Sequence, residues 1–344
     1  MDITTVGIDL AKNVFSVHGV DAHGKVMLKK TVSRGKLLET FANLPPCRVA
    51  MEACSGAHHW ARRLSALGHD ARIIAPRLVI AYRKSGKNDS NDSEAICEAA
   101  SRPAMRFVPV KSVEQQAVLC LHRIRSERVA ERTAQINQIR GLLSEFGLIM
   151  PKGRYPAQQH IPDILEDAEN GLPGLARRLL HDVYQRILQL NQQILAYDRE
   201  LEQLARHSDA AQRLMSAPGI GAITATAVVA SIADPGQFHN GRQLAGGRGL
   251  VPRQYSTGGK TRLGRITKQG DKYLRMLLIH GARSVLASLG DKQDRVSCWL
   301  RDLIARRGYK RATVALAAKN ARLIWVLLTR GEDYRVHPAA MKAA

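Results

Sequence analysis

This sequence of 344 residues contains five cysteines but no closely spaced pair of them. None of them stands in a Cys-x-x-Cys pair; they are Cys47, Cys54, Cys97, Cys120 and Cys298. This scatter argues against a zinc site and is typical of reduced thiols in a cytosolic protein.

The sequence also predicts neither a signal peptide nor a membrane span. The N-terminus, MDITTVGIDL, has neither the basic nor the apolar region of a signal peptide. The most apolar late stretch, TVALAAKNARLIWVLL, is interrupted by Lys319, Asn320 and Arg322. We expect this stretch to be too short and too charged to span a bilayer, so we predict no membrane partner.

Acidic residues are scarce relative to basic ones. Lys and Arg number 52 against 30 Asp and Glu, which gives a formal net charge of +22. Between residues 241 and 344, 22 Lys and Arg stand against 6 Asp and Glu. Such an excess predicts a polyanionic partner, and nucleic acid is the obvious one. A solvated basic surface or a ribosome-like tail is the alternative, which the interleaving of basic residues with an apolar helical pattern disfavours.

The first 110 residues alternate short β-rich runs with helical ones. The predicted strands are TVGIDLA, VFSVHGV, KVMLKKTV, CRVAMEAC and DARIIAP. With the intervening helical runs they give the order β-β-β-α-β-α-β-α, in which three strands joined as hairpins precede αβ units. That is the strand order of a ribonuclease-H-like sheet, and we predict an α/β domain over residues 1–110.

Two long helical segments and a mainly helical C-terminal part follow. Residues 112–147 and 172–207 carry apolar side chains near helical spacing, and the Pro- and Gly-containing segment between them predicts a loop. They indicate a linker over residues 111–208, either an antiparallel coiled-coil arm or part of a helical bundle. Residues 209–344 predict a C-terminal domain with an irregular, basic, Gly-rich stretch and three amphipathic helices.

Carboxylates stand in unusual places in the N-terminal domain. Asp9 and Glu52 lie inside apolar strands, where a buried charge is costly unless it is paired or bound to a metal. Asp89 and Asp92 are three residues apart and share one face of the first turn of a helix. A ribonuclease-H-like sheet pairs its first and fourth strands, which would bring Asp9 and Glu52 together. Mg²⁺ or Mn²⁺ would relieve the repulsion among the four acids and clamp a phosphodiester.

Two alternatives to this carboxylate site remain open from the sequence. Asp89 also suits a helix cap, and Glu52 also suits a surface position. Glu94 and Glu98 compete for the place of the last metal ligand, although Glu94 is two positions from Asp92 and points elsewhere on a helix.

The segment LMSAPGIGAITATAVV matches a helix–hairpin–helix motif. Gly219 and Gly221 permit a tight turn whose backbone N–H groups, with the start of the next helix, bind phosphate. Such a turn holds a nucleic-acid backbone without reading the base sequence. The alternative is a helix–helix turn that serves packing alone.

A serine stands in the basic, Gly-rich stretch. Ser256 and Thr257 precede a Gly-Gly pair, and a serine hydroxyl attacks phosphorus if its proton is removed and the developing charge is stabilised. The basic neighbours are Arg253, Lys260, Arg262, Arg265 and Lys268. From this stretch alone, a flexible basic hairpin that only contacts phosphate is the better interpretation.

Six segments occur in order along nearly the whole chain. They are GIDLAK, MEAC, KNDSNDSEAI, APGIGAITA, AGGRGLVPRQYSTGGKTRLGRITKQGDKYLR and ALAAKNARLIWVLLTRGEDYR. Together they resemble the insertion-sequence one-ten family of transposases, in its eleven-eleven subgroup. The resemblance implies a DNA transposase or recombinase with a RuvC-like DEDD domain, a coiled-coil linker and a C-terminal domain that holds a nucleophilic serine. It also implies guidance by a structured bridge RNA, dimers or tetramers, and a cytoplasmic, nucleoid-associated location in a prokaryote.

The resemblance assigns roles to residues that match the family's motifs. The implied ligands of Mg²⁺ or Mn²⁺ are Asp9, Glu52, Asp89 and Asp92. Ser256 would form the covalent link to DNA, with Thr257 as the alternative hydroxyl, and the basic neighbours would stabilise phosphate or hold the guide RNA. Two other functions stay open: a Holliday-junction resolvase whose acids activate water, and a catalytically silent nucleic-acid-binding protein.

Overall fold

The protein is described by a computed structural model that covers residues 2–84, 86 and 88–336. The described residues form two compact units, which divide between Val113 and Glu114. As predicted, the first unit is mixed α/β and the second is mostly helical. The predicted linker from residue 114 onward and the described part of the C-terminal domain both lie in the second unit. The division of the chain at residues 110 and 208 therefore stays a prediction. Residues 337–344 of the predicted C-terminal domain lie outside the described residues.

The first unit alternates strands and helices. Its strands are β1 (Thr5–Leu10), β2 (Val14–Val20), β3 (Val26–Ser33), β4 (Arg48–Glu52), β5 (Asp70–Ile74) and β6 (Phe107–Val108). Its helices are α1 (Leu37–Ala42), α2 (Ala57–Ala66), α3 (Pro76–Val79) and α4 (Asp89–Ser101), with 3₁₀ turns at Arg34–Lys36 and Ile80–Tyr82. The five predicted strands are confirmed. The sequence did not predict β6, which is only two residues long.

A single sheet in this unit has the strand order β3-β2-β1-β4-β5-β6. Strands β1, β2 and β3 pair antiparallel, whereas β4 pairs parallel with both β1 and β5. Parallel neighbours need crossover connections, and α1 and α2 lie in the connections that lead to β4 and β5. The predicted pairing of the first and fourth strands is thus confirmed.

The two faces of the sheet carry separate apolar clusters, because side chains alternate along each strand. The cluster shared with α1 and α2 includes Val6, Ile8, Val49 and Met51. On the opposite face, Ala50 of β4 packs with the buried side of α4. Asp9 and Glu52 follow the first cluster by one position on their strands, so both face α4.

Helix α4 lies directly against β1. A Cβ atom on Gly7 would stand 2.3 Å from the Ser93 carbonyl oxygen and 2.5 Å from the Cys97 amide nitrogen. Since both distances are far inside van der Waals contact, glycine is what allows the helix to approach the strand this closely. The Cys97 thiol also reaches the Thr5 carbonyl oxygen at 3.5 Å. Helix α4 therefore runs antiparallel to β1 and begins near the end of that strand.

The second unit is built mainly from helices. They are α5 (Val113–Glu145), α6 (Arg154–Glu166), α7 (Gly174–Arg206), α8 (Asp209–Met215), α9 (Ala222–Ser231), α10 (Gly241–Gly247), α11 (Lys272–Ala287), α12 (Arg295–Arg307) and α13 (Tyr309–Arg330). A hairpin of β7 (Pro252–Gln254) and β8 (Leu263–Ile266) stands between α10 and α11, and a 3₁₀ turn spans Pro235–Gln237. The three predicted C-terminal helices are confirmed as α11, α12 and α13.

The two long predicted helices are confirmed as α5 and α7, and they run antiparallel. Arg132 of α5 donates to the Asn191 side chain of α7 at 3.0 Å. Closer to the start of α5, Arg125 forms an ion pair with Asp198, farther along α7. The opposite course of the residue numbers establishes the antiparallel direction.

Two predicted irregular segments are partly wrong. Helix α6 occupies most of the predicted loop between α5 and α7: Pro156 lies in its first turn, where a missing N–H costs no helical hydrogen bond. Burial of Ala157 and Ile161 offsets the cost of Pro162 inside the helix. The Gly-rich stretch contains α10, which Asn240 caps by accepting from the Gln243 amide, and the β7–β8 hairpin.

Helix α13 is long and apolar enough to span a membrane, so the expectation that this stretch is too short does not hold for a helix of 22 residues. Core helices of folded domains often have the same length and composition. Residues along its length, including Leu316, Ala321 and Leu327, are buried in one cluster with α9 and α11. We therefore assign α13 to the core of the second unit.

Candidate active site and nucleic-acid interface

Asp9 and Glu52 lie at the ends of the two central parallel strands. The register pairs Ile8 of β1 with Met51 of β4, so Asp9 and Glu52 are the next residues on neighbouring strands. Neighbouring strands are about 4.8 Å apart, and both acids are half-buried on the face that carries α4. The sheet therefore brings these two predicted carboxylates side by side.

Asp89 and Asp92 lie in the first turn of α4, as predicted. The cap of this helix is Asn88, whose side chain accepts a hydrogen bond from the Asn91 amide at 2.8 Å. Asp89 is therefore not the capping residue, and its exposed carboxylate lies outside the capping interaction.

A hydrogen bond joins the strand beside Asp9 to the start of α4. Ser16 is the partner of Asp9 across β1 and β2, and its Oγ lies 3.1 Å from the Ser93 Oγ. Ser93 directly follows Asp92, so this contact ties the first turn of α4 to the sheet edge that carries Asp9.

The carboxylates act on one another electrostatically. Burial raises the pKa of the Glu52 carboxyl, and the nearby charge of Asp92 raises it further, while Arg83 opposes the rise. Burial also raises the pKa of the Cys54 thiol, with smaller contributions from Glu52 and Asp9. Arg83 Nη1 lies 3.7 Å from Asp92 Oδ1. Negative charge is thus concentrated at these carboxylates, and Arg83 lies at the border of the region.

The four acids fit a divalent cation in their donor chemistry. They offer hard oxygen ligands, which Mg²⁺ and Mn²⁺ prefer, from the ends of β1 and β4 and from the start of α4. Within the described residues, no group of three or more His, Cys, Asp or Glu side chains is already arranged to hold a metal ion.

The two rival acids on α4 have other partners. Glu94 forms an ion pair with Lys84, which lowers the pKa of its carboxyl. Glu98 forms an ion pair with Arg102, one helical turn farther along α4. Their carboxylates are therefore engaged outside the Asp9 and Glu52 pair.

Ser256 lies on the exposed β7–β8 hairpin of the second unit. At the tip, Thr257 forms an antiparallel bridge with Lys260. Gly258 and Gly259 between them have φ angles of +54° and +75°, a backbone region that glycine adopts without strain. The Gly-Gly pair that follows the serine is thus explained by the turn.

The Ser256 hydroxyl has one side-chain partner in the described part of the hairpin. Gln254 Nε2 donates a hydrogen bond to Ser256 Oγ at 2.8 Å. This contact places both side chains on the same side of the hairpin, just beyond the end of β7. Because the amide only donates here, the hydroxyl proton remains available for transfer.

The predicted basic residues all lie exposed on or beside this hairpin: Arg253, Lys260, Arg262, Arg265 and Lys268. Residues 252–268 contain no Asp or Glu. Among the ion pairs of the described residues, none involves these side chains. The hairpin therefore presents unneutralised positive charge, which suits a phosphate backbone.

The turn between α8 and α9 is packed tightly in the core. Gly219 has a φ angle of +80°, and a Cβ atom there would stand 2.6 Å from the Gly281 carbonyl oxygen of α11. Asn320 of α13 donates to the Pro218 carbonyl at 2.9 Å. Packing thus accounts for Gly219, whereas the exposed Gly221 precedes an α9 N-terminus that no side chain caps.

Comparison with known proteins shows the family of this chain. A family model described as Transposase IS116/IS110/IS902 matches residues 211–296, and a DEDD transposase model of IS110 matches residues 6–147. The transposase for insertion sequence element IS1111A of Coxiella burnetii is 48% identical over 334 residues, which cover 97% of this chain and 92% of that protein. The chain belongs to the IS110/IS116/IS902 family of transposases.

Two further relatives span this transposase almost completely. A "probable family 20 transposase" of Pseudomonas aeruginosa is 49% identical over 97% of this chain and 99% of its own length. The transposase for insertion sequence element IS1328 of Yersinia enterocolitica is 42% identical over 96% of this chain and 98% of its own length. The family resemblance is thus confirmed: the protein is a DNA-binding enzyme of transposition, with a DEDD domain that indicates use of a divalent metal.

Three residues of the transposase site were not predicted from the sequence. A glycine inside a strand, such as Gly7, is a recognised sign of close backbone approach. The contact of Gln254 with Ser256 lies beyond the end of β7 and has no such local signal. Arg83 has no comparable signal, because its partner Asp92 lies nine residues away, across the start of a helix.

Proposed function

We propose that this transposase cuts and rejoins DNA through a covalent phosphoserine intermediate at Ser256. In this reaction the Ser256 oxygen loses its proton and attacks phosphorus, and the phosphorus–oxygen bond to the deoxyribose breaks. The sugar oxygen takes up a proton and leaves as a hydroxyl. A hydroxyl of a new partner strand later loses its proton and attacks the phosphoserine phosphorus. The bond from phosphorus to the Ser256 oxygen breaks, the serine takes up a proton, and the phosphodiester is restored, so rejoining needs no nucleotide cofactor.

The observation that carries this proposal is the placement of Asp9 and Glu52 beside the start of α4, in a chain related end to end to insertion-sequence transposases. We propose Asp9, Glu52, Asp89 and Asp92 as the ligands of Mg²⁺ or Mn²⁺. A bound ion would supply Lewis-acid stabilisation of the phosphoryl oxygens. Because Asp9 and Glu52 are half-buried, water hydrates their carboxylates only in part, and a bound cation would stabilise them.

We propose that the second unit makes the nucleic-acid contacts. The uncapped start of α9 next to Gly221 offers backbone N–H groups to a phosphate, in the manner of a helix–hairpin–helix, with Gly219 shaping the turn. The basic residues of the hairpin would neutralise phosphates around Ser256 or hold RNA. They are Arg253, Lys260, Arg262, Arg265 and Lys268.

The partners beyond DNA rest on the motif resemblance and on the net charge of +22. We propose a structured bridge RNA as the guide. We also propose a homodimer or homotetramer, in which Ser256 of one subunit acts beside the Asp9 site of another. The cytoplasmic, nucleoid-associated location is part of the same proposal.

The deciding experiment looks for a protein–DNA link that resists SDS. The full chain is mixed with labelled element-junction DNA, Mg²⁺ and the RNA encoded by the element. The proposal expects a shifted band that disappears with Ser256→Ala and with Asp9→Ala and persists with Thr257→Ala, the matched loss of a hydroxyl one residue away.

Three outcomes would contradict the proposal in different ways. Cleaved DNA without a band would indicate attack by water, as in a resolvase. A band that disappears only with Thr257→Ala would transfer the nucleophile to that residue. Metal-independent binding without cleavage, unchanged by Asp9→Ala, would leave a catalytically silent nucleic-acid-binding protein.

A further inference from the structure

The carboxylate site has a cation of its own. Arg83 follows the Ile80–Tyr82 turn and points its Nη1 to within 3.7 Å of Asp92 Oδ1. Its charge also reaches Glu52. Arg83 is therefore the basic side chain that counters two of the acids proposed as metal ligands.

The contact between Arg83 and Asp92 is loose enough for a metal ion to replace Arg83 beside the carboxylate. Its closest approach of 3.7 Å lies beyond the 2.7–3.2 Å of an N–H···O hydrogen bond. The two side chains are 38% and 21% exposed, so water reaches both. A divalent cation binds carboxylate oxygens directly and carries twice the charge, so it is the stronger partner for Asp92.

The contact with Arg83 also bears on metal binding by Asp92. The Asp92 carboxylate lies beside the Arg83 guanidinium, so a cation that binds Asp92 would stand against a positive charge unless Arg83 moves away.

We propose that Arg83 is the counter-ion of the carboxylate site in the absence of metal, and that the metal must displace it from Asp92. This inference rests on the proposed function, because it takes the four acids as metal ligands. It adds that Arg83 and the metal compete for Asp92. The guanidinium stabilises the carboxylates when no metal is bound and thereby weakens metal binding.

The competition is measured on the full chain without nucleic acid. Mn²⁺ is titrated calorimetrically into the wild type and into Arg83→Gln, Arg83→Lys and Asp9→Asn. Arg106→Gln is the matched control, since Arg106 is exposed in the same unit and forms none of the ion pairs of the described residues. Thermal unfolding of each variant is recorded in EDTA and in saturating Mn²⁺.

Loss of Arg83 has opposite effects with and without metal. Arg83→Gln should bind Mn²⁺ about two- to fivefold more tightly, the size expected when a half-exposed ion pair no longer competes. In EDTA it should unfold at a lower temperature than the wild type, and Mn²⁺ should raise that temperature by more. Arg83→Lys, which keeps the charge, and Arg106→Gln should both stay near the wild type.

The outcomes separate this inference from the function on which it rests. If Mn²⁺ binding depends on Asp9 but Arg83→Gln binds no more tightly than the wild type, the displacement is wrong and the metal site stands. If Arg106→Gln tightens binding equally, the effect is one of net charge and the inference is likewise wrong. If Asp9→Asn binds Mn²⁺ like the wild type, the proposed metal site itself is wrong.

Discussion

The close approach of α4 to β1 predicts a strong effect of a single methyl group. In Gly7→Ala the added Cβ would meet the Ser93 carbonyl oxygen at 2.3 Å and the Cys97 amide nitrogen at 2.5 Å. Ordinary contact begins near 3.4 Å, so the helix has to move away by roughly 1 Å. Both obstacles are backbone atoms inside α4, which no rotamer change can clear.

This displacement should cost both stability and site geometry. Overpacking of a tight core contact lowers the free energy of unfolding by about 1–3 kcal/mol. The same shift carries the start of α4, with Asp89 and Asp92, away from Asp9. A misplacement of about 1 Å in a catalytic arrangement lowers the rate by about a hundredfold, so formation of the covalent DNA band should fall by that order.

The assay compares Gly7→Ala with Gly35→Ala. A Cβ on Gly35 meets nothing within 4 Å and its φ angle is not positive, so the control should change the free energy of unfolding by less than about 0.5 kcal/mol. Urea unfolding at neutral pH and Mn²⁺ titration are measured on both full chains. Wild-type stability together with wild-type Mn²⁺ affinity in Gly7→Ala would refute the link between this contact and the site.

Two further predictions concern the second unit. His122 is buried between Tyr273 Oη and Thr226 Oγ1, each 3.1 Å away, and burial lowers its pKa from 6.5 to about 4. The free energy of unfolding should therefore fall by about 3 kcal/mol as the pH drops from above 6.5 toward 4, because the unfolded chain takes up a proton that buried His122 does not. In urea unfolding, His122→Gln should lose correspondingly less free energy of unfolding between pH 7 and pH 4. An equal loss in the wild type and the variant would contradict the assignment. Gln254→Ala removes the hydrogen bond to Ser256 and should slow formation of the covalent band about fivefold, the effect of one neutral hydrogen bond. An unchanged rate would show that the Gln254 amide does not position the Ser256 hydroxyl.

The sequence was sufficient for the sheet and for the acids on it because both depend on local patterns. Alternating apolar residues predict strands, and a ribonuclease-H-like strand order pairs β1 with β4. Asp9 and Glu52 stand out within those strands because their neighbours are apolar. The placement of two carboxylates on one sheet edge thus follows from periodicity and strand order alone.

Features that depend on tertiary contacts were not predicted from the sequence, or were predicted only in part. Helix α6 forms despite two prolines, since burial of residues such as Ile161 is not visible in local propensity. The sequence predicts Gly219 as part of a phosphate-binding turn, but its closest constraint is the backbone of α11. The role of Arg83 depends on how a turn and a helix meet, which no spacing rule describes.

The large positive charge of the chain does not remove the need for a local cation at the acids. At physiological ionic strength, charges farther apart than about 8 Å are largely screened. A net charge of +22 therefore attracts nucleic acid as a whole but gives little relief to Asp92, whereas Arg83 at 3.7 Å does. Metal affinity and DNA affinity should consequently respond to different substitutions: loss of Arg83 should change the first, and loss of a hairpin cation such as Arg262 should lower the second and reduce its salt dependence by about one ion.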